Sequence, residues 1–271
     1  MSLQDDRAFF NENGYLVIED LLSGQQLQTC RDEIERLHHV ADDLEKQGDA
    51  DLKHFQREPY AQGSNRDDGL PVLRKIEETG KFSPLFRDLA KTPRLISTLQ
   101  ALLCDDLLQF RSTLMLKPAF HGSAHAYHQD SSYWPIDPPD LITVSIALTD
   151  ATPQNGCIRV IPGSHKWGLL DWGRISLKKD ESIDNVDFDT SKAIELPLKA
   201  GSALLFHSLT VHGSGPNDSP DPRNTALYAY FSPHVALKQS EGGPSQRSFR
   251  VVAGLNGAGE HQLTCVAGSD G

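Results

Sequence analysis

His128 and Asp130 stand two residues apart in His128-Gln129-Asp130. On a β-strand such positions point to the same face, so an imidazole and a carboxylate can close on one ion. A third ligand has to come from elsewhere in the chain, and His212, which follows Leu209-Thr210-Val211, is the candidate. Two imidazoles and one carboxylate on one face of an octahedron leave three positions open, an arrangement suited to non-haem Fe(II). An isolated His-x-Asp is more often a pair on a surface strand, so the reading rests on what surrounds it. Arg223 follows His212 after a turn rich in Gly, Pro, Asn and Asp. A planar guanidinium grips a carboxylate with two parallel hydrogen bonds, which lysine cannot copy. Brought back beside the metal on a neighbouring strand, Arg223 would be a fork for the distal carboxylate of 2-oxoglutarate. The alternative is a solvated arginine at a loop edge after Asp221-Pro222.

Side chains that must converge this closely need rigid elements behind them. Residues 3–12 read as a short helix and Tyr15-Leu16-Val17-Ile18 as a strand. Ser23 is the expected N-cap of a long helix to about residue 46, with Leu27, Cys30, Ile34 and Leu37 on its apolar face. Residues 47–70 are charged and Gly-containing, and read as loop. Ser83-Pro84 and Thr92-Pro93 each open a helix with Pro at its first position, the second running to about Leu103. From about residue 107 the pattern changes to short β-type runs at 108–117, 125–130, 140–148, 157–161, 193–198, 202–206, 209–212 and 224–232. Turns such as Asn155-Gly156 and Pro162-Gly163 separate them. Helices first and short strands after predict a mainly β, cupin-like double-stranded β-helix (jelly roll) with a helical layer on one face. We expect a single domain over 1–271: a mostly helical layer at 1–106, the core at 107–233, and a C-terminal extension at 234–271 that is Gly-rich from about residue 253. Residues 166–192 interrupt the strand rhythm. They read as a lid, with Trp167, Leu169, Leu170 and Trp172 able to cover an apolar pocket.

The chain resembles the phytanoyl-CoA dioxygenase family of Fe(II)/2-oxoglutarate-dependent oxygenases. Four ordered stretches carry the resemblance: His125-Ala126-Tyr127-His128-Gln129-Asp130 continuing to Ile142; Asn155-Gly156-Cys157 into Ile161-Pro162-Gly163-Ser164-His165; Leu205-Phe206-His207; and His212-Gly213-Ser214-Gly215-Pro216-Asn217 with Arg223 after it. The resemblance implies a jelly-roll core with Fe(II) on His128, Asp130 and His212. It implies 2-oxoglutarate on Arg223 with help from Ser214, with Ser145 and Lys75 matching further cosubstrate contacts. The family's chemistry consumes 2-oxoglutarate and O2, releases succinate and CO2, and hydroxylates a substrate C–H. Related halogenating enzymes have Gly or Ala where this chain has Asp130, so the carboxylate argues for hydroxylation. The same centre can also support desaturation, ring formation or epimerisation.

The remaining candidates have plainer readings. His125 and His121 precede the triad, with structural and substrate-facing roles equally open for His125. His165 reads as a turn residue, His207 as a core or strand-edge histidine, and Gln129 as a supporting residue. Tyr133 and Trp134 either line a pocket or simply pack. The four cysteines, Cys30, Cys104, Cys157 and Cys265, are scattered, which argues against a disulfide framework and for a reducing compartment. No signal-peptide pattern or long apolar run is present, so a cytoplasmic protein is expected. A formal net charge of −11 disfavours nucleic acid and anionic membranes and gives no support for a CoA thioester. We expect a small-molecule or acyl substrate; the oligomeric state is not legible. The competing class is a metal-binding jelly roll that acts as a sensor or binding module, which has no need of a dicarboxylate fork.

Overall fold

The computed structural model describes residues 3–61, 63–171, 189–239 and 243–267. In chain order the elements are α1 Leu3–Asn13, β1 Tyr15–Ile18, α2 Gly24–Gln47, β2 Phe55–Arg57, β3 Leu73–Glu77, α3 Thr79–Phe82, α4 Pro84–Leu89, α5 Pro93–Leu102, β4 Leu107–Lys117, β5 His125–His128, β6 Ile136–Asp137 and β7 Leu141–Ala147. They continue with β8 Ile158–Val160, β9 Ile194–Leu196, β10 Ala203–His207, β11 His212–Ser214, β12 Arg223–Phe231, β13 Ala236–Gln239, β14 Gln246–Ala253 and β15 Glu260–Ala267. The large sheet runs β1-β10-β7-β12-β4-β14-β15-β13-β6, with β3 pairing β4 and β2 pairing β3 beside that path. The small sheet runs β5-β11-β8-β9. Antiparallel pairing dominates, and the two sheets form the expected jelly roll. Among the described residues, no helix is long and apolar enough to cross a membrane.

The helices form where their caps and apolar stripes require. Ser23 opens α2 through a capping box: its hydroxyl accepts from Gln26 N at 3.3 Å while its own N–H donates to Gln26 Oε1 at 2.9 Å. Such a cap stabilises a helix by about 1 kcal/mol. Gly48 closes α2 at φ 64°, a left-handed conformation that glycine adopts without steric cost. Leu27, Cys30, Ile34 and Leu37 are buried, as are Leu95 and Leu99 of α5. They pack on one face of the large sheet, against Leu16, Ile18, Leu114, Leu116, Ile142, Val144, Ile146, Leu205, Ala226, Tyr228 and Tyr230.

Strand alternation then turns the intervening residues inward. On β12 these are Arg223, Thr225, Leu227 and Ala229, which pair in register with Lys117, Met115, Thr113 and Arg111 of β4. On the other flank, Thr225, Leu227 and Ala229 pair with Ala147, Ser145 and Thr143 of β7. One side of the large sheet is therefore the core and the other the wall of a cavity of about 780 Å³, within the range of ligand pockets.

Two expectations are corrected. Residues 47–70 are not all loop, because β2 pairs with β3. Within the mostly helical segment before residue 107, the strand at Tyr15–Ile18 pairs with β10, and β3 adds a further pair with β4. The C-terminal extension is not a Gly-rich tail. β14 pairs with both β4 and β15, and Phe249, Val251, Leu263 and Cys265 form a second apolar cluster with Leu108, Leu141 and Phe231.

Two tyrosines on the core face of β12 fasten the helices to the sheet. Tyr228 donates its hydroxyl to Phe86 O at 2.7 Å and Tyr230 to Ala90 O at 2.9 Å, both buried. Tyr228→Phe strands the Phe86 carbonyl without its partner. Chemical denaturation should show a loss of about 1–3 kcal/mol, while Mn(II) binding stays at the wild-type value.

Candidate metal centre and cosubstrate pocket

His128 ends β5, and Asp130 opens a short 3-10 turn rather than continuing the strand. The shared-face geometry survives because Gln129 between them is still extended, at φ −114° and ψ 132°. His212 begins β11 and pairs directly with His128. The His128 and His212 rings lie 4.2 Å apart. Asp130 Oδ1 is 3.5 Å from His128 Nε2 and 3.8 Å from His212 Nε2. One ligand atom from each of the three residues lies within 4.8 Å of the others.

The hydrogen bonds behind these groups fit a divalent metal. His128 Nδ1 lies 2.9 Å from Ala126 O and His212 Nδ1 2.9 Å from Thr210 O. A carbonyl accepts only, so each Nδ1 carries the hydrogen and each Nε2 offers a lone pair to the shared point, the second-layer support typical of ligating histidines. Thr143 donates to Asp130 Oδ2 at 2.6 Å, leaving Oδ1 turned to the imidazoles. Burial opposes ionisation of Asp130, but His212, His128 and Thr143 outweigh it and hold the carboxyl at about 2. Burial and the neighbouring His128 push His212 down to about 4, keeping it a neutral ligand. His128 is pushed down by burial but pulled further up by the Asp130 carboxylate, so it ends above its ordinary value.

Gln129 faces the other way, as alternation demands. Its Nε2 donates to Gly168 O at 2.9 Å and to Leu209 O at 2.7 Å, and its Oε1 accepts from Leu170 N at 2.9 Å. The supporting role expected of it is thus a clamp that fixes the 128–130 backbone from behind. Leu170 and Ala193 pack with Tyr127, Ile161 and Val211, on the side of the small sheet turned away from the triad. Of the described residues of the expected lid, Leu170 packs in that cluster, and Trp167, Leu169 and Leu170 are not among the residues lining the cavity. Residues 172–188, including Trp172, lie outside the described residues.

Arg223 and Ser214 both line the cavity, each beside Lys117. Arg223 is buried, and its Nη1 donates to Gly156 O at 2.8 Å. Gly156 has φ +78°, and a Cβ there would stand 2.4 Å from Gly215 O, so the Asn155-Gly156 turn admits only glycine. Ser214 accepts from Lys117 Nζ at 2.8 Å, which directs its own O–H elsewhere. Lys117, missed in the sequence, also donates to Gly215 O. Among the described residues neither Lys117 nor Arg223 has an ion-pair partner. Burial, with repulsion from Arg223 and Arg74, pushes the Lys117 ammonium down to about 6. Burial pushes Arg223 down to about 10. Two basic groups this deeply desolvated and without an ion-pair partner form a socket for an anion, whose charge favours the protonated form of Lys117.

The other candidates separate. Lys75 lines the cavity but comes from strand β3, not from a helix, and its ammonium is 2.6 Å from Glu77. Ser145 is buried between Leu204 and Leu227 in register and is not among the cavity-lining residues. His125 reaches the cavity wall because β5 carries one extra residue between the His212–His128 and Ser214–His125 pairs, a β-bulge. Its Nε2 is 3.1 Å from Arg74 Nη2, and since arginine only donates, His125 is the acceptor. His165 Nε2 meets Asn11 O at 3.1 Å, fixing its turn against α1. His207 Nδ1 accepts from Leu209 N at 3.0 Å, a strand-end role.

A jelly roll with a partly buried His-Asp-His cluster beside a basic socket is the architecture of a non-haem iron oxygenase. Residues 10–225 match the family model described as Phytanoyl-CoA dioxygenase (PhyH), and the chain belongs to that family. It is 29% identical over 255 residues to the ectoine dioxygenase of Nocardia farcinica, covering 88% of this chain and 80% of that one. It is 27% identical over 238 residues to the peroxisomal phytanoyl-CoA dioxygenase of Homo sapiens, covering 84% and 68%. The apo crystal structure of EctD from S. alaskensis superposes with a TM-score of 0.65 at 26% identity, covering 88% of this chain and 80% of that one.

Thr143→Val removes the hydroxyl on Asp130 Oδ2 with little change in volume. Titration with Mn(II) should show roughly 10- to 100-fold weaker binding, with the fold retained by circular dichroism.

Proposed function

We propose that His128, Asp130 and His212 hold Fe(II), that Arg223, Ser214 and Lys117 hold the distal carboxylate of 2-oxoglutarate, and that this dioxygenase hydroxylates a C–H bond of a small-molecule or acyl substrate. The observation that carries the reading is the pair of buried, unpaired cations in the same cavity as the triad. A sensor or simple metal-binding module has no use for them, whereas a dicarboxylate cosubstrate does. Relatives named as dioxygenases of ectoine and of phytanoyl-CoA support the class of chemistry, and they act on unlike substrates.

Bound at the triad, Fe(II) with 2-oxoglutarate and O2 supplies the oxidation, which yields succinate, CO2 and one oxygen atom for the substrate. The chain's own groups bind and orient. Arg223 and Lys117 neutralise the far carboxylate, and the Ser214 hydroxyl, turned outward by Lys117, adds one donor. Thr143 and the Ala126 and Thr210 carbonyls keep the ligand atoms aimed. Burial of the triad excludes bulk water, which strengthens each of these interactions. Lys75 and Ser145 have no part in holding the cosubstrate in this arrangement.

Thermal shift with Mn(II) and 2-oxoglutarate tests the reading: the melting temperature must rise with both together. In the same assay Arg223→Lys should weaken 2-oxoglutarate binding roughly 10- to 100-fold, and Ser214→Ala about fivefold, since the first loses a charged fork and the second a neutral bond. Unchanged 2-oxoglutarate binding in Arg223→Lys removes the assignment.

Lys117 adds a pH signature. A bound dianion raises its pKa from about 6 in the empty pocket, so binding takes up a proton at higher pH. Affinity for 2-oxoglutarate is then complete below about pH 6 and declines as pH rises toward the bound-state pKa, by up to about tenfold per unit. Calorimetry with Mn(II) present should show that slope in the wild type and its loss in Lys117→Met.

A further inference from the structure

The cavity's charge is opposite to that of the chain. The protein carries a formal −11, yet the cavity is lined by five cations, Arg74, Lys75, Arg111, Lys117 and Arg223, and by one carboxylate, Asp130. On the reading above, Lys117 and Arg223 are taken up by the distal carboxylate of 2-oxoglutarate, and Asp130 answers in part to the metal. Arg74, Lys75 and Arg111 remain; Arg74 donates to His125, and the acid beside Lys75 and Arg111 is Glu77.

Arg111 and Lys75 share that acid. Arg111 Nη2 donates to Glu77 Oε1 at 2.8 Å and its Nε to Thr113 Oγ1 at 3.0 Å; Lys75 Nζ donates to the same Glu77 oxygen at 2.6 Å. One carboxylate oxygen thus holds two cations in place, and both keep further donors in the cavity wall. Their position relates to the reacting centre. Arg111 pairs with Ala229, and Ala229 pairs with Thr143, the residue bound to Asp130. Arg111 is therefore two strands from the metal-facing wall, a backbone separation of roughly 10 Å. Nearer the mouth, Tyr133 is 62% exposed with its ring 5.9 Å from that of His128, and Trp134 also lines the cavity.

We infer that the substrate is an amphipathic anion. A carboxylate or phosphate-type group docks on Arg111 and Lys75, while an apolar body lies under Tyr133 and Trp134 and presents its C–H to the triad. Glu77 orients the two cations and leaves them a net positive charge. This inference rests on the dioxygenase reading, and the pairing of Arg111 and Lys75 in one wall gives it a separate test.

The test is calorimetric titration of protein saturated with Mn(II) and 2-oxoglutarate, so that the cosubstrate socket is filled. The probes are octanoate and 4-phenylbutyrate, each against its own primary carboxamide. Both carboxylates should bind about tenfold or more tightly than their amides. Arg111→Gln should erase that preference, Lys75→Met should reduce it, and Glu77→Gln should enlarge it by removing the competing negative charge. Equal binding of acid and amide, no binding of either acid, or a preference that survives in Arg111→Gln overturns the inference. The prior Mn(II) and 2-oxoglutarate titrations report separately: they should be unchanged in Arg111→Gln, and their failure in the wild type would count against the dioxygenase reading instead.

Discussion

The pleat of β4, β7 and β12 is the constraint on which the rest depends. Each strand separates two media. One row of β12, Ala226, Tyr228 and Tyr230, is packed into the helical core, and the alternate row from Arg223 to Ala229 faces the cavity in register with β4 and β7. A slip of one residue would exchange the rows, setting Arg223 against leucines and tyrosines against the metal site. The helices on the far side therefore do more than cover the sheet. By burying Leu114, Leu116, Val144 and Ile146, they make the register costly to change and so fix the cavity wall.

The cavity's electrostatics follow from that register. Lys117 at the end of β4 and Arg223 at the start of β12 are cross-strand partners. Like charges placed opposite each other destabilise a sheet, and here both are also desolvated. The protein tolerates this because other groups take up part of the strain: Gly156 O and Gly215 O accept from them. The triad shows the reverse balance. Its single carboxylate is surrounded by two imidazoles and a hydroxyl, so it remains charged while buried. One end of the pocket is built to want an anion and the other a cation.

Much of this was legible in the chain because it depended on local chemistry. Ser23 marks an N-cap, Pro84 and Pro93 mark helix starts, and His128-Gln129-Asp130 depends only on extended backbone. The convergence of His212 with that pair followed from motif order and is seen in the geometry, and Arg223 and Ser214 line the same cavity. What was missed depended on distant pairing. Lys117 reads as a solvated strand-end lysine until β12 and Ser214 close over it. Arg111 gains meaning only from Glu77 on β3, itself inside a stretch with few β signals. Strands β14 and β15, with residues such as Arg247, Ser248, Arg250 and Gln262, lack clean alternation because much of their surface is exposed. Gly254 and Gly257, which suggested a tail, instead make a turn at positive φ between two paired strands.

One consequence of β4 concerns length. Arg111, Thr113, Met115 and Lys117 lie on one face of a single regular stretch of that strand. From Arg111 to Lys117 the backbone covers roughly 20 Å at the usual strand rise. A strand interior hardly stretches, so the interval between the two cationic stations behaves as a rigid gauge. A tethered compound bearing an acid at each end could engage both stations only if its linker matched that gauge. Chain length, more than head-group chemistry, would then govern how tightly such a bivalent inhibitor is held.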